Sequence, residues 1–243
     1  AMVKEELGES IDIHLGGSDL IFPHHENEIA QSEACNGKNL ANFWLHNGMV
    51  NVGGEKMSKS LGNFTTIRAL LNDGVTPMTL RFFVLQANYR KPLDFTNEAL
   101  KAAAKGWNKI NICLSFDADY KEKTGRDHNS NQEYKNKELS ILSDKFRNFM
   151  DDDLNTSGAL SVLFEISNPL RKVKSLIEQG NQINDLDIHL RRWSLLVELS
   201  SVLGLKPESE KKLKTIGRRI NDNEIESLIE ERSKAKIERN FIL

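Results

Sequence analysis

The sequence predicts a mostly α-helical protein, in which a short α/β segment comes before an α-helical bundle. Between positions 11 and 61, short apolar runs alternate with glycine pairs, which is typical of strands and turns in an α/β layer. After position 65, apolar residues recur three and four positions apart, the spacing that puts them on one helix face. Several such stretches follow one another, and packing their apolar faces together makes a bundle.

The composition is that of an ordinary globular protein. Of the 243 residues, 39% are hydrophobic and 28% are charged, and the net charge of −2 excludes a broad polycation. No apolar run reaches the roughly 20 residues of a membrane-spanning helix, so we expect no membrane partner. Two cysteines, Cys35 and Cys113, are too few for a disulfide framework, which favours a cytoplasmic location. We expect both to be small buried residues.

The α/β segment is predicted to contain two strands and one helix. A strand at 11–15 ends at a Gly-Gly pair, and a second strand covers 43–52, with Phe43 and Trp44 as core aromatic residues. Between them, residues 24–34 are predicted to be helical, and Pro23 suits the first helical turn.

The rest of the chain is predicted to be helical. Two short helices lie on either side of Pro77, and Thr96 or Asn97 caps a longer helix that runs to Leu114. A polar stretch at 117–136 predicts an exposed connection. Three further helices are then predicted, at 137–150, 156–179 and 186–203.

The most specific motif is Lys-Met-Ser-Lys-Ser at 56–60, followed by Leu-Gly-Asn. Two lysines and two hydroxyls on a loop that closes over ATP can stabilise the charge that develops on its phosphates. Most lysine pairs are merely solvated, but the length of this run favours a phosphate-binding loop. We therefore predict catalytic roles for Lys56 and Lys59, and ATP binding by these lysines and Ser60.

A second motif, Gly16-Gly17-Ser18-Asp19, follows the first predicted strand. A glycine pair lets a ligand approach the backbone, and an aspartate can accept hydrogen bonds from ribose hydroxyls. When such a motif stands alone, a plain turn is the better explanation, and here its value comes from the residues that follow. We predict that Gly16, Gly17 and Asp19 position ATP or the amino acid.

Two histidines and a glutamate follow at the start of the predicted helix. His24 and Glu28 are four positions apart and share a helix face, while His25 and Glu28 are three apart and pair equally well. Imidazole with carboxylate is half of a tetrahedral zinc site, although a polar helix start is the simpler alternative. Cys35 is expected to lie far around the helix from His24, so further ligands must come from elsewhere.

The run from Ile11 to Asn63 resembles cysteinyl-tRNA synthetase, a class I aminoacyl-tRNA synthetase. The stretch at 16–31 is specific to that family, whereas Lys-Met-Ser-Lys-Ser is shared across class I. The resemblance continues at 95–116, 150–156 and 225–240. It implies that the α/β segment is the C-terminal part of a Rossmann-like catalytic domain. Leu15 departs from the commoner family pattern, which has glycine at this position.

The resemblance implies a cysteine–tRNA ligase, which activates L-cysteine with ATP and Mg²⁺ and transfers it to the 3′ adenosine of tRNA(Cys). It implies one Zn²⁺, held by His24, Glu28 and two cysteines that would precede Ala1. Zinc would select the substrate thiolate against the hydroxyl of serine. It also implies that His14 and His46 face the site, although structural roles fit them equally well. We expect a monomer, and we expect this chain to be an inactive piece of a longer protein.

The resemblance also divides the chain into four units. These are the catalytic segment at 1–64, a stem-contact linker at 65–95, a tRNA-binding bundle at 96–205 and an incomplete anticodon-end module at 206–243. The last unit contains a dense basic cluster, which predicts contact with tRNA phosphates or, equally, a solvated surface. Its members are Lys211, Lys212, Lys214, Arg218 and Arg219.

Two alternatives remain open. The family's thiol-biosynthesis paralogue transfers activated cysteine to an amino-sugar, and it shares the zinc and Lys-Met-Ser-Lys-Ser features. The long helical and C-terminal segments of this chain favour the tRNA enzyme. The second alternative is a non-catalytic protein that binds RNA or zinc.

Overall fold

The computed structural model describes residues 2–58, 60–116, 137–179, 181 and 186–208. The predicted connection at 117–136 and most of the predicted C-terminal module therefore lie outside the described residues. The first part contains helix α1 (Met2–Leu7), strand β1 (Ile11–Gly17), two short helical turns (Ser18–Leu20 and Ile21–His25), helix α2 (Glu26–Asn36) and strands β2 (Ala41–Asn47), β3 (Val50–Val52) and β4 (Glu55–Lys56). The second part contains helices α3 (Ile67–Asn72) and α4 (Pro77–Leu85), strand β5 (Leu93–Asp94) and helices α5 (Asn97–Leu114), α6 (Lys137–Asp151), α7 (Thr156–Glu178) and α8 (Leu186–Val202).

Strands β1 and β2 pair in parallel, with α2 as the crossover that a parallel pair requires. The register sets Gly16 opposite His46, so the glycine pair that ends β1 lies beside the end of β2. Phe43 was predicted to be a core residue, but its side chain is 66% exposed.

The predicted strand at 43–52 is wrong in one respect, because two strands replace it. The chain breaks at Gly48, whose N–H donates to the carbonyl of Tyr89 at 2.7 Å. A Cβ at Gly48 would lie 2.3 Å from the carbonyl carbon of Lys91, so only glycine fits this close approach. After the break, β3 pairs in parallel with β5 and antiparallel with β4.

Helix α2 begins two residues later than predicted. Phe22 has extended backbone angles (φ −134°, ψ 133°), so Pro23 lies in a separate turn ahead of the α-helix. At the other end, Gly37 is left-handed (φ 63°), and its N–H donates to the carbonyl of Glu33 at 2.8 Å. Glycine adopts this conformation freely, and so it ends the helix.

The bundle helices match the predictions closely. The Thr96 side chain accepts a hydrogen bond from the Ala99 N–H at 3.1 Å, which makes Thr96 the cap of α5. The spans predicted for the last three helices are confirmed to within one residue at each end. The apolar faces of helices α4 to α8 enclose a core that includes Trp107, Phe82, Ile110, Leu163, Ile166 and Leu196.

Among the described residues, no helix combines the length and apolar character needed to cross a membrane. The proposed unit boundaries after residues 64, 95 and 205 stay predictions.

Candidate functional site

The two predicted ATP-binding segments meet at Asp19 and Lys56. The Nζ of Lys56 lies 3.2 Å from Oδ2 of Asp19, although the two residues are 37 positions apart. Asp19 belongs to the turn after β1, and Lys56 ends β4. Both side chains are about half exposed, so the pair adds little stability. A ligand that competes for either group could separate them at low cost.

The glycine pair keeps this turn narrow. A Cβ at Gly17 would lie 2.6 Å from Oδ1 of Asp19, and a Cβ at Gly16 would lie 2.4 Å from Cε1 of His25. The lack of a side chain therefore lets both functional groups approach the backbone. Leu15 lies within β1 with its side chain 67% exposed, and strand geometry accommodates leucine.

Four aromatic side chains surround the end of β1. His25 is buried, and its Nδ1 lies 2.8 Å from Nε2 of His46. His14 stacks on Trp44, with ring centroids 4.4 Å apart. Burial, followed by the nearby rings of His14 and His46, lowers the pKa of His25, so its imidazole is neutral at pH 7.

Glu28 connects this cluster to the predicted metal site. Its Oε2 lies 3.0 Å from Nε2 of His14, and its Oε1 lies 3.7 Å from Nε2 of His24. The Oε2 atom is buried, and its contact with His14 is an ion-pair approach without the alignment of a hydrogen bond, so it makes no hydrogen bond within the described part of the chain. His14, His25 and Glu28 each offer one ligand atom, and these three atoms lie within 4.8 Å of one another.

As a metal ligand, Glu28 could therefore act either with His24 or with the cluster of His14 and His25. His24, the family-implied ligand, is largely exposed and stands apart from the three-residue cluster. His25, the alternative that spacing left open, is inside that cluster. One imidazole nitrogen and the Glu28 carboxylate are donors that suit zinc, and they would be two of the four ligands that the resemblance implies.

The two cysteines have different environments. Cys113 is buried as predicted, and burial raises the pKa of its thiol to about 11. Cys35 is exposed, so the prediction that it is buried is wrong. It lines a cavity of about 540 Å³ together with Glu28 and His14, because positions seven apart return to the same helix face.

Several predicted site residues lie outside the described residues. These are Lys59 and the five members of the basic cluster, Lys211, Lys212, Lys214, Arg218 and Arg219. Ser60 is exposed, with its Oγ 3.2 Å from Oγ of Ser58. Sequence reasoning also missed the stacking of Trp44 on His14. The sequence feature that could have indicated this aromatic cluster is the two-residue spacing of Trp44 and His46, which puts both side chains on one face of a strand.

Comparison with protein families gives two matches. Residues 1–105 match the tRNA synthetases class I (C) catalytic domain, and residues 145–206 match the DALR domain. Over its whole length the chain is 58% identical to the cysteine–tRNA ligase of Prochlorococcus marinus (strain NATL1A). The chain belongs to the cysteine–tRNA ligase family. Another member, from Parasynechococcus marenigrum (strain WH8102), is 52% identical over 99% of the chain. The chain spans about half the length of these cysteine–tRNA ligases.

Solved structures of other class I synthetases share the fold. The ternary complex of LeuRS with tRNA and LeuAMS from Agrobacterium radiobacter K84 aligns with a TM-score of 0.59 at 18% identity, covering 78% of this chain and 25% of that chain. Methionyl-tRNA synthetase of Mycobacterium tuberculosis bound by methionyl-adenylate gives a TM-score of 0.56 at 20% identity. The alignment covers 79% of this chain and 41% of that synthetase chain. The predicted fold class and family are thus confirmed.

Proposed function

We propose that this chain contributes the ATP loop and the tRNA-binding helices of a cysteine–tRNA ligase. That enzyme forms cysteinyl-adenylate from L-cysteine and ATP, and then transfers the cysteinyl group to the 3′ adenosine of tRNA(Cys). The observation that carries the proposal is the 3.2 Å contact between Lys56 and Asp19. It joins the Lys-Met-Ser-Lys-Ser loop to the glycine turn, the two segments that ATP would have to touch together.

In the first step, the cysteine carboxylate attacks the α-phosphate of ATP in line, and pyrophosphate leaves. Lys56, Lys59 and Ser60 offset the negative charge that develops on the departing phosphates, alongside the Mg²⁺ that accompanies ATP. Asp19 accepts hydrogen bonds from ribose hydroxyls. When ATP binds, Lys56 exchanges the Asp19 carboxylate for a phosphate, because the exposed pair is weak. No protein nucleophile is required.

We further propose that His24 and Glu28 hold zinc together with two thiolates, with His25 as the alternative imidazole. When bound, zinc supplies a soft partner for the substrate thiolate that a serine hydroxyl does not match. The Oε2 of Glu28 is buried and lies 3.0 Å from Nε2 of His14 without an aligned hydrogen bond, and a metal ligand role would satisfy this oxygen. Shape alone discriminates by roughly 1–3 kcal/mol, which is too little to reject serine.

The proposal for tRNA rests on the helical bundle and on the basic cluster at 211–219. Lysines and arginines that neutralise phosphates give affinity without reading sequence. We propose that the enzyme is a monomer, and that this chain alone is inactive because it supplies only part of the zinc and ATP sites.

The test is cysteine-dependent exchange between ATP and pyrophosphate, measured on the longer ligase and on this chain alone. We expect exchange with cysteine but not with serine in the longer protein, and none in the isolated chain. Absence of exchange in the longer protein would show that the proposal is wrong. Exchange without charging of tRNA would instead favour transfer to an amino-sugar.

A further inference from the structure

The side-chain amide of Asn63 joins the two ends of the segment between Lys56 and Asn63. The Oδ1 of Asn63 accepts a hydrogen bond from the Ser58 N–H at 2.8 Å, and its Nδ2 donates to the Lys56 carbonyl at 3.2 Å. One asparagine thereby satisfies a backbone donor and a backbone acceptor on the opposite side of the loop. Asparagine carries both functions on one planar group, which alanine and aspartate do not.

The surrounding contacts define what this amide holds in place. The Met57 N–H donates to the carbonyl of Val50 at 3.0 Å, which ties the start of the segment to β3. At the other end, Gly62 is left-handed (φ 69°), so the chain can turn back towards Asn63. The backbone of Lys56 is therefore fixed from two sides, and this fixes the direction in which its side chain leaves towards Asp19.

Among the described residues of the segment, the remaining restraints are also hydrogen bonds. The Leu61 N–H donates to Oγ of Ser58 at 3.3 Å, and the Oγ atoms of Ser58 and Ser60 lie 3.2 Å apart. Leu61 is 60% exposed, so its side chain does not anchor the loop in a hydrophobic core. The loop thus depends on hydrogen bonds for its shape. Two hydrogen bonds from one side chain are enough to set the population of the folded loop, because each is worth about 1 kcal/mol.

We propose that Asn63 is a positioning residue for the ATP loop, which holds the backbone of Lys56 and Ser58 so that the loop can meet the phosphates. This inference rests on the proposed function of the loop. Asn63 itself touches no substrate. Its effect is to remove the cost of ordering the loop when ATP binds and when charge develops in the transition state.

Two variants of Asn63 and one control test the inference. Asn63→Ala removes both hydrogen bonds, and Asn63→Asp keeps the acceptor but sets an oxygen against the Lys56 carbonyl. Asn72→Ala is the same chemical change at an exposed position that ends α3. Trypsin cleavage after Lys56 and Lys59 reports on opening of the loop in this chain. We expect cleavage about tenfold faster for both Asn63 variants, an unchanged rate for Asn72→Ala, and unchanged Tm for all three.

The second readout is ATP–pyrophosphate exchange in the longer ligase. We expect kcat to fall about tenfold for Asn63→Ala, which corresponds to about 1.4 kcal/mol of transition-state stabilisation, with an unchanged KM for cysteine. Wild-type cleavage and kcat in both variants would overturn the inference. So would faster cleavage with an unchanged kcat, or a fall in kcat that follows a loss of Tm. Absence of exchange in the wild-type ligase would instead refute the proposed function, and this inference with it.

Discussion

Arg90 and Asp153 form a two-point ion pair that joins the segment before β5 to the turn between α6 and α7. The Arg90 Nε lies 2.5 Å from Oδ2 of Asp153, and Nη2 lies 3.1 Å from Oδ1. The hydroxyl of Tyr89 also donates to Oδ1, at 2.8 Å. Asp153 and Leu154 are both left-handed (φ 50° and 55°), a conformation that disfavours any residue but glycine. The ion pair therefore stabilises an unfavourable turn between α6 and α7 and ties it to the segment before β5.

We expect Asp153→Asn to lower Tm at pH 7, because it removes the charge that Arg90 and Tyr89 bind. Arg90, followed by Tyr89, lowers the pKa of Asp153 below its ordinary value. The stabilisation is therefore complete above the ordinary pKa of about 4, and it is lost as the pH falls through the lower pKa of the folded protein. Thermal melts across the acid range should show the wild type and the variant converging at low pH.

Two variants serve as controls for the ion pair. Asp151→Asn makes the same change at an exposed position nearby and should not alter Tm. Leu154→Gly relieves the left-handed strain without touching the pair and should not lower Tm. A constant gap between wild type and Asp153→Asn at every pH would contradict an electrostatic role.

Metal content, measured together with Tm, tests the proposed zinc ligands. The longer ligase should contain about one zinc per chain, and His24→Ala should reduce this amount if His24 is the ligand. His24 is exposed, so its removal should leave the fold intact. His25→Ala is the comparison, although burial and the contact with His46 predict a lower Tm for that variant. Full zinc content in His24→Ala, with loss in a folded His25→Ala protein, would assign the site to His25.

The two lysines of the ATP loop should affect the rate of adenylate formation. We expect Lys59→Ala to slow pyrophosphate exchange on the order of 100-fold while leaving cysteine binding nearly unchanged, since the lysine acts on developing charge. Lys56→Ala should have a smaller effect. It also frees Asp19 from its ion pair, which favours binding of the ribose. Rates near those of wild type in both variants would exclude a catalytic role for the loop.

The basic cluster at 211–219 should act on tRNA and not on adenylate formation. Replacing Lys211, Lys212 and Lys214 with glutamine should raise the KM for tRNA and reduce its dependence on salt concentration. Pyrophosphate exchange should stay unchanged, because that step needs no tRNA. Charging assays at two salt concentrations, next to an exchange assay, separate the two effects. If the KM for tRNA and its dependence on salt concentration are unchanged, the cluster is a solvated surface and does not contact tRNA.

The two thiols of this chain should differ in reactivity. A thiol reagent should modify Cys35 within the native protein, because its side chain is exposed. Cys113 should react only after unfolding, since it is buried and its pKa of about 11 keeps the thiol protonated. Cys35→Ser should abolish the reaction of the native protein and leave the reaction of Cys113 after unfolding. Two fast thiols in the folded chain would contradict the packing of α5.

Most of the helical bundle could be predicted from the sequence. Apolar periodicity and capping residues are local properties. The spans of the bundle helices follow from the periodicity, and Thr96 and Asn155 cap the starts of α5 and α7. The limits of the strands were harder to predict than those of the helices. The break at Gly48 depends on the close approach of Lys91, a residue far along the chain. The start of α2 was missed for a similar reason, since no local signal showed that Phe22 would be extended.

The sequence by itself determined the family, the fold class and the segments that bear the chemistry, because these are carried by short continuous motifs. Only the tertiary structure decided which side chains meet. The parallel register of β1 and β2 brings His25 to His46, and the β3–β4 hairpin brings Lys56 to Asp19. Helix spacing alone left His24 and His25 equivalent as partners of Glu28. Burial distinguishes them, because it depends on packing between elements distant in sequence.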